Sequence, residues 1–148
     1  MSNRIFLDTN IFVYAVDGRS AHPADREKRT IADDLIRQAL EDQNAWISYQ
    51  VIQEFFNVAL RKFAVPMPVE YARRYLATVF RSFGVVQSSF GLFSEATEIC
   101  SRYRLSWYDS VNLAAAAEAG CAAIYTEDLA DGAQVGGVRV VDPFRKAG

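Results

Sequence analysis

A chain of 148 residues, 51% of them hydrophobic, is long enough to bury one core and too short for two, so a single domain over residues 1–148 is expected. Its longest apolar stretches are too short to cross a bilayer, and Met1-Ser2-Asn3-Arg4 runs directly into a strand pattern rather than a signal-type segment, which leads to the expectation of a cytoplasmic protein. The net charge of −2, the single His22 and the two separated cysteines, Cys100 and Cys121, exclude a polycationic chain, a His-based zinc site, a Ser/His/Asp triad and a CxxC redox motif.

In chain order the pattern alternates between strand and helix. Arg4-Ile5-Phe6-Leu7 is an apolar run that ends in Asp8, and Thr9 to Tyr14 reads as a short helix behind it. A polar connection from Asp17 leads to Pro23, which suits the first turn of a long helix reaching about Gln43, with Ile31, Leu35, Ile36, Ala39 and Leu40 at helical spacing. Ala45–Ser48 is a strand, and a helix from Gln50 to Phe63 follows, stopping before Pro66-Met67-Pro68. A helix from Val69 to Ser82, a strand Gly84–Val86, and helices over Phe90–Tyr103 and Tyr108–Ala119 come next, the last ending at Gly120. Ala123–Thr126 and Val138–Val141 are the last two strands, joined by a loop rich in Asp and Gly. Such alternation predicts an α/β fold, a three-layer α/β/α sandwich with a mostly parallel central sheet.

Charge is unevenly spread: acidic flanks enclose a basic middle holding Arg61, Lys62, Arg73, Arg74, Arg81, Arg102 and Arg104, interleaved with Phe63, Tyr71, Tyr75, Phe80 and Tyr103. Two arrangements fit. The cations track a phosphate backbone while the rings stack on unpaired bases, with Arg61, Arg73, Arg74 and Arg81 as RNA contacts, or the cations solvate helix faces while the rings form core.

Four acids stand out. Asp8 and Asp128 close strand patterns, Asp109 sits in the first turn of the alanine-rich helix, and Glu54 lies on a polar stripe with Gln50, Asn57 and Arg61 along an otherwise apolar helix. Each has an ordinary structural role open to it: helix capping for Asp8 and Asp109, a solvent-facing stripe for Glu54, an acidic surface loop for Asp128. Taken together they can converge on the C-terminal edge of a parallel sheet, where open α/β sheets bind ligands. Clustered carboxylates repel and raise one another's protonation constants, so a cation has to compensate. Hard oxygen donors without His or Cys fit Mg²⁺ or Mn²⁺ rather than Zn²⁺.

Leu7-Asp8-Thr9-Asn10, the helix containing Gln53-Glu54-Phe55-Phe56-Asn57-Val58, Trp107-Tyr108-Asp109-Ser110 and Tyr125-Thr126-Glu127-Asp128-Leu129 resemble the four acidic motifs of PIN-domain ribonucleases. Their order, spacing and the chain length resemble VapC-type toxins of bacterial toxin–antitoxin pairs. The resemblance implies that Asp8, Glu54 and Asp109 surround Mg²⁺ or Mn²⁺ and that Asp128 is the fourth acid, with Glu127 and Asp131 close enough to take its place. It also implies that Thr126 supplies a hydroxyl beside that acid and that Asn10 supports the site. The implied reaction is hydrolysis of RNA phosphodiester bonds leaving 5′-phosphate and 3′-hydroxyl ends. The implied partner is a VapB-like antitoxin laid over the N-terminal helices. A homodimer through the helix at 69–82, using Tyr71, Tyr75, Leu76, Val79 and Phe80, is also expected, with core packing as the alternative use of those residues. Two other readings stay open: a catalytically silent PIN-like module that binds RNA or protein, and an aspartyl-phosphate phosphatase. The phosphatase usually needs a second Asp where this chain has Asn10.

Overall fold

The middle of the sheet is taken by a three-residue apolar segment. Strand β1 (Ile5–Leu7) buries Phe6 and Leu7 completely and pairs in parallel with β2 (Ala45–Ser48) on one side and β4 (Ala123–Tyr125) on the other. A strand covered on both faces reads as a continuous apolar run, which is what its sequence is. The computed structural model describes residues 3–17 and 23–145, and His22 lies outside them.

Beyond β2 lies β3 (Gly84–Val86), and beyond β4 lie β6 (Val138–Val141) and β5 (Gln134–Val135), giving the order β3-β2-β1-β4-β6-β5. All neighbours are parallel except β5 and β6, so the predicted mostly parallel sheet is present. Strand β5 was not predicted. It is only two residues long, and its signal is the Gly136-Gly137 pair, whose φ values of 55° and 83° make the hairpin turn.

Helix α1 (Thr9–Val16) packs on α2 (Pro23–Asp42) and α3 (Tyr49–Arg61), and α3 on α4 (Val69–Thr78). Helices α5 (Phe90–Tyr103) and α6 (Trp107–Glu118) pack on each other, completing an α/β/α arrangement about the sheet. Ala114, Ala115 and Ala116 are buried in α6, small enough to let that helix approach the strands closely. Among the described residues no helix is long and apolar enough to cross a membrane. Both cysteines are free. Cys121 is buried, and burial pushes its thiol up to about 12, whereas Cys100 is only half-buried.

One predicted helix divides. The pattern over Val69–Ser82 forms α4 only to Thr78, followed by a 3-10 turn at Phe80–Ser82. The Thr78 hydroxyl donates to the Arg74 carbonyl and the Ser82 hydroxyl to the Thr78 carbonyl, occupying acceptors that a continuing helix would use. The tighter winding delivers Phe80 into a ring cluster with Phe12 at 5.0 Å, Phe55 at 5.2 Å and Tyr75 at 5.1 Å. The basic middle's aromatics are therefore mainly core: Phe63 and Phe80 are buried, and Tyr75 stacks on Phe55. Of the residues read as a dimer surface, Tyr75 and Phe80 belong to this core, while Tyr71 and Leu76 are exposed.

Candidate metal centre

The chain leaves β1 outward to β2 and β3 and returns to β4 on the other side of β1. This reversal opens a crevice at the C-terminal ends of β1 and β4, and Asp8 is the first residue past β1. Its backbone is extended, with φ −79° and ψ 166°, and its carboxylate caps α1 by accepting from Thr9 N–H at 2.7 Å. The same oxygen, Oδ1, accepts from Asn112 Nδ2 at 2.9 Å, and Oδ2 accepts from the Thr126 hydroxyl at 2.7 Å. Capping and membership of an acid cluster are thus not alternatives for Asp8; one carboxylate does both.

Thr126 is the hub of the far side. Fully buried, its hydroxyl donates to Asp8 and accepts from Asn10 Nδ2 at 3.2 Å and from Asp128 N–H at 3.1 Å. Asn10 spans the gap, its amide also donating to Asp128 Oδ2 at 3.2 Å, while its buried Oδ1 has no hydrogen-bond partner among the described residues. Asp109 comes from the first turn of α6, where Ser106 caps the helix: the Ser106 hydroxyl accepts from Asp109 N–H at 3.2 Å and donates to Asp109 Oδ2 at 2.9 Å.

The result is a triad in which Asp8, Asp109 and Asp128 each present an oxygen within 4.8 Å of the other two. Glu54 stands beside them rather than among them, its Oε1 accepting from Gln50 Nε2 at 2.7 Å and its Oε2 from the Thr9 hydroxyl at 3.3 Å. Gln50 also donates to the Tyr108 carbonyl at 3.3 Å, which ties the start of α3 to the start of α6.

The two substitutes considered for the fourth acid point elsewhere. Glu127 accepts from the Tyr14 hydroxyl at 2.5 Å and pairs with Lys28 at 2.8 Å; Asp131 accepts from Asp142 N–H at 2.9 Å and pairs with Arg145 at 3.5 Å. Asp128 alone of the three joins the cluster.

Electrostatics make the cluster costly as it stands. Asp8 is 4% exposed, and burial above all, then the charges of Asp128 and Glu54, lift its carboxyl to about 7 despite the opposing hydrogen bonds from Thr126 and Thr9. Burial and the neighbouring Asp109 raise Asp128 as well, with Asn10 opposing. Among the described residues no Lys or Arg forms an ion pair with Asp8, Glu54, Asp109 or Asp128. An all-oxygen, multiply anionic, partly buried donor set without a cationic side chain fits a hard divalent cation.

Asn112 and Ser48 went unrecognised in the sequence. Ser48 closes β2, caps α3, and donates to Asn112 Oδ1 at 3.0 Å, so a buried relay runs Ser48–Asn112–Asp8. The available signal was a lone amide inside Val111–Ala117, one helical turn after Asp109. Arg61, Arg73, Arg74 and Arg81 are all exposed and outside the cluster. Arg61 shares the face of α3 that carries Glu54, about two turns further on, roughly 10 Å along the axis. Arg73 faces Glu70 at 3.5 Å, and Arg74 lies over the Tyr71 ring at 5.9 Å.

The family model described as PIN domain matches residues 5–130. No curated protein matches the sequence. Among solved structures, the chain is similar to a toxin–antitoxin complex from Klebsiella pneumoniae, at 22% identity over 94% of this chain and 97% of that one, with a TM-score of 0.64. It is also similar to Mycobacterium tuberculosis VapC20, a sarcin–ricin loop cleaving toxin, at 22% identity, 84% and 91% coverage and a TM-score of 0.61. FitAcB from Neisseria gonorrhoeae aligns at 14% identity over 96% and 99% of the two chains, with a TM-score of 0.64. At these identities the likeness is one of fold.

Proposed function

Because the chain belongs to the PIN-domain family, we propose that it is a Mg²⁺- or Mn²⁺-dependent endoribonuclease acting as the toxin of a VapBC-type toxin–antitoxin pair. The observation that carries this reading is the meeting of Asp8, Asp109 and Asp128 within 4.8 Å, from three separate parts of the chain, in a crevice where the fold places ligands. Likeness in fold to a toxin–antitoxin complex and to an RNA-loop cleaving toxin supports it.

Asp8, Asp109 and Asp128 would hold the cation, with Glu54 at its side. A bound divalent ion supplies charge neutralisation for the scissile phosphate and a water of lowered protonation constant. The protein's own contribution is placement. Thr9 N–H, Asn112 and Thr126 fix the Asp8 carboxylate from three directions, Ser106 and Asn10 do the same for Asp109 and Asp128, and Gln50 and Thr9 hold Glu54 where it can orient an attacking water. Water adds to phosphorus, the bond to the 3′ oxygen breaks, and 5′-phosphate and 3′-hydroxyl ends result. No base has to act on the 2′-hydroxyl, so selection of RNA falls to contacts around the site.

A VapB-like antitoxin is the proposed partner. A groove of about 300 Å³ lined by Val16, Phe63, Val65, Met67 and Tyr71 offers an apolar seat beside α1, and an antitoxin Arg or Lys reaching the acids would displace the cation. The exposed Tyr71 and Leu76 of α4 are the remaining candidates for a homodimer contact. A phosphatase would need an acid at position 10, where Asn10 is committed to Thr126 and Asp128.

The test is incubation of the purified chain with total RNA and Mn²⁺, with mapping of the ends. Discrete cuts bearing 5′-phosphates, abolished by EDTA and by Asp8→Asn or Asp109→Asn, are expected. Intact RNA with wild-type protein, or cuts that persist in both variants, would overturn the reading.

A further inference from the structure

The three clustered acids are not held alike. Asp8 and Asp109 stand at helix starts, where capping fixes the backbone, whereas Asp128 is exposed and lies on an irregular stretch between β4 and β5. It is tied by its N–H to the Thr126 hydroxyl at 3.1 Å and by its carboxylate to Asn10 at 3.2 Å, while repulsion from the other two acids acts to turn it out toward water. Two ion pairs that join distant parts of the chain end on the residues around it: Lys28 of α2 pairs with Glu127 at 2.8 Å, and Arg145 with Asp131 at 3.5 Å. The Glu127 side is the more fully built. The Tyr14 hydroxyl of α1 donates to Glu127 Oε1, and Lys28 Nζ donates to Glu127 Oε2 and, at 3.2 Å, to the Tyr14 oxygen. The Lys28 cation also lies 4.9 Å from the centre of the Tyr14 ring and 5.7 Å from that of Phe144, and these rings meet edge to face at 5.0 Å. Helix α1, helix α2 and the end of the chain thus close on the residue next to Asp128.

We propose that Lys28 and Tyr14, acting through Glu127, are positioning residues for Asp128: they hold its segment so that its carboxylate faces those of Asp8 and Asp109. The inference rests on the metal-site reading above and deepens it, giving residues outside the acid cluster a share in cation affinity. An ion pair whose side chains are 30% and 23% accessible adds little to folding as such. Groups that orient a ligand without touching the metal, by contrast, change metal affinity about 10- to 100-fold. Charge gives the role a sign of its own. Lys28 is a cation bonded to the neighbour of a proposed metal ligand, so on electrostatics alone its removal strengthens the binding of a second cation. Removal of a positioning residue weakens it.

The experiment is titration of the full chain with Mn²⁺, free Mn²⁺ being read from its electron paramagnetic resonance signal, with Asp8→Asn as the control that locates binding at the acids. Lys28→Met weakens binding about tenfold, Tyr14→Phe, which keeps every charge, weakens it about threefold or more, and Lys28→Arg stays within about threefold of the wild type. In an Asp128→Asn background Lys28→Met has no further effect, because the ligand it positions is gone. Thermal melts in EDTA check that each variant is folded; if Lys28→Met is not, Tyr14→Phe decides alone. Unchanged or tighter binding in Lys28→Met and Tyr14→Phe overturns the positioning role. An equal loss from Lys28→Met with and without Asp128 assigns the effect to the fold at large and also overturns it. No Mn²⁺ binding by the wild type overturns the metal site and this role with it, whereas binding that Asp8→Asn abolishes and the Lys28 and Tyr14 variants retain leaves the metal site standing and removes the positioning role alone.

Discussion

On the proposed reading Asp8 has to be anionic, to hold a cation, in a place water barely reaches. Its carboxyl is raised to about 7 in the fold against an ordinary value of 3.8, so between these values the folded chain binds a proton that the unfolded chain has released. The contribution of this group to the stability of the metal-free protein is therefore greatest below about pH 4 and falls as pH rises to about 7, by up to about 1.4 kcal/mol per pH unit. Denaturant unfolding in EDTA from pH 4 to 8 should reveal that slope, and Asp8→Asn, which cannot ionise, should flatten it; an equal slope in both would contradict the assignment. Asn112 makes a second test at this scale. Asn112→Leu removes one donor from Asp8 and strands the Ser48 hydroxyl, both buried, so a loss of about 1–3 kcal/mol is expected together with weaker Mn²⁺ binding. Calorimetric titration and urea melts measure the two effects separately.

Elements explain why some of this was legible and some was not. Strand ends could be read because an apolar run that stops at an acid marks both a buried strand and its exit, as at Leu7-Asp8; the helices could be read from spacing and from Pro23, Pro66 and Gly120. The two-residue β5 lacked enough length to carry a period, and the 3-10 turn at Phe80 depended on hydroxyl-to-carbonyl bonds that no apolar pattern encodes. Three of the clustered acids were visible because carboxylates are conspicuous beside apolar runs. Asn112 was not, because one amide within an alanine-rich helix looks like any polar interruption until Ser48 and Asp8 are brought against it. Pairing of β2 with β3 supplies a prediction of its own. A Cβ on Gly84 would be driven into the Trp46 ring on the adjoining strand, so Gly84→Ala should cost about 1–3 kcal/mol. The cost should shrink in a Trp46→Leu background; an equal loss in both, measured by thermal melts of the four-member cycle, would place the strain elsewhere.

At the scale of the molecule, the reversal of strand order around β1 gathers Asp8, Asp109 and Asp128, separated by most of the chain, at one crevice. The charge penalty they share is relieved by a proton on Asp8 or, on the proposed reading, by a bound cation, so ligand and fold are coupled: at a Mn²⁺ concentration of 100 times the dissociation constant, stabilisation of about 2.7 kcal/mol is expected. The melting temperature should rise more with Mn²⁺ at pH 7.5 than at pH 5, because protons compete for Asp8 at the lower pH. On the proposed reading the exposed Arg61, Arg73, Arg74 and Arg81, which stand outside the acid cluster, would contact the more distant backbone of a bound RNA, and single replacements with Ala should lower the salt dependence of binding rather than the rate of cutting. The proposed reading rests on the three clustered carboxylates sharing one cation, and anomalous diffraction from crystals grown with Mn²⁺ tests that directly. The account predicts a peak in direct contact, about 2.0–2.6 Å, with oxygens of Asp8, Asp109 and Asp128; clear density for all three side chains with no peak between them would contradict it.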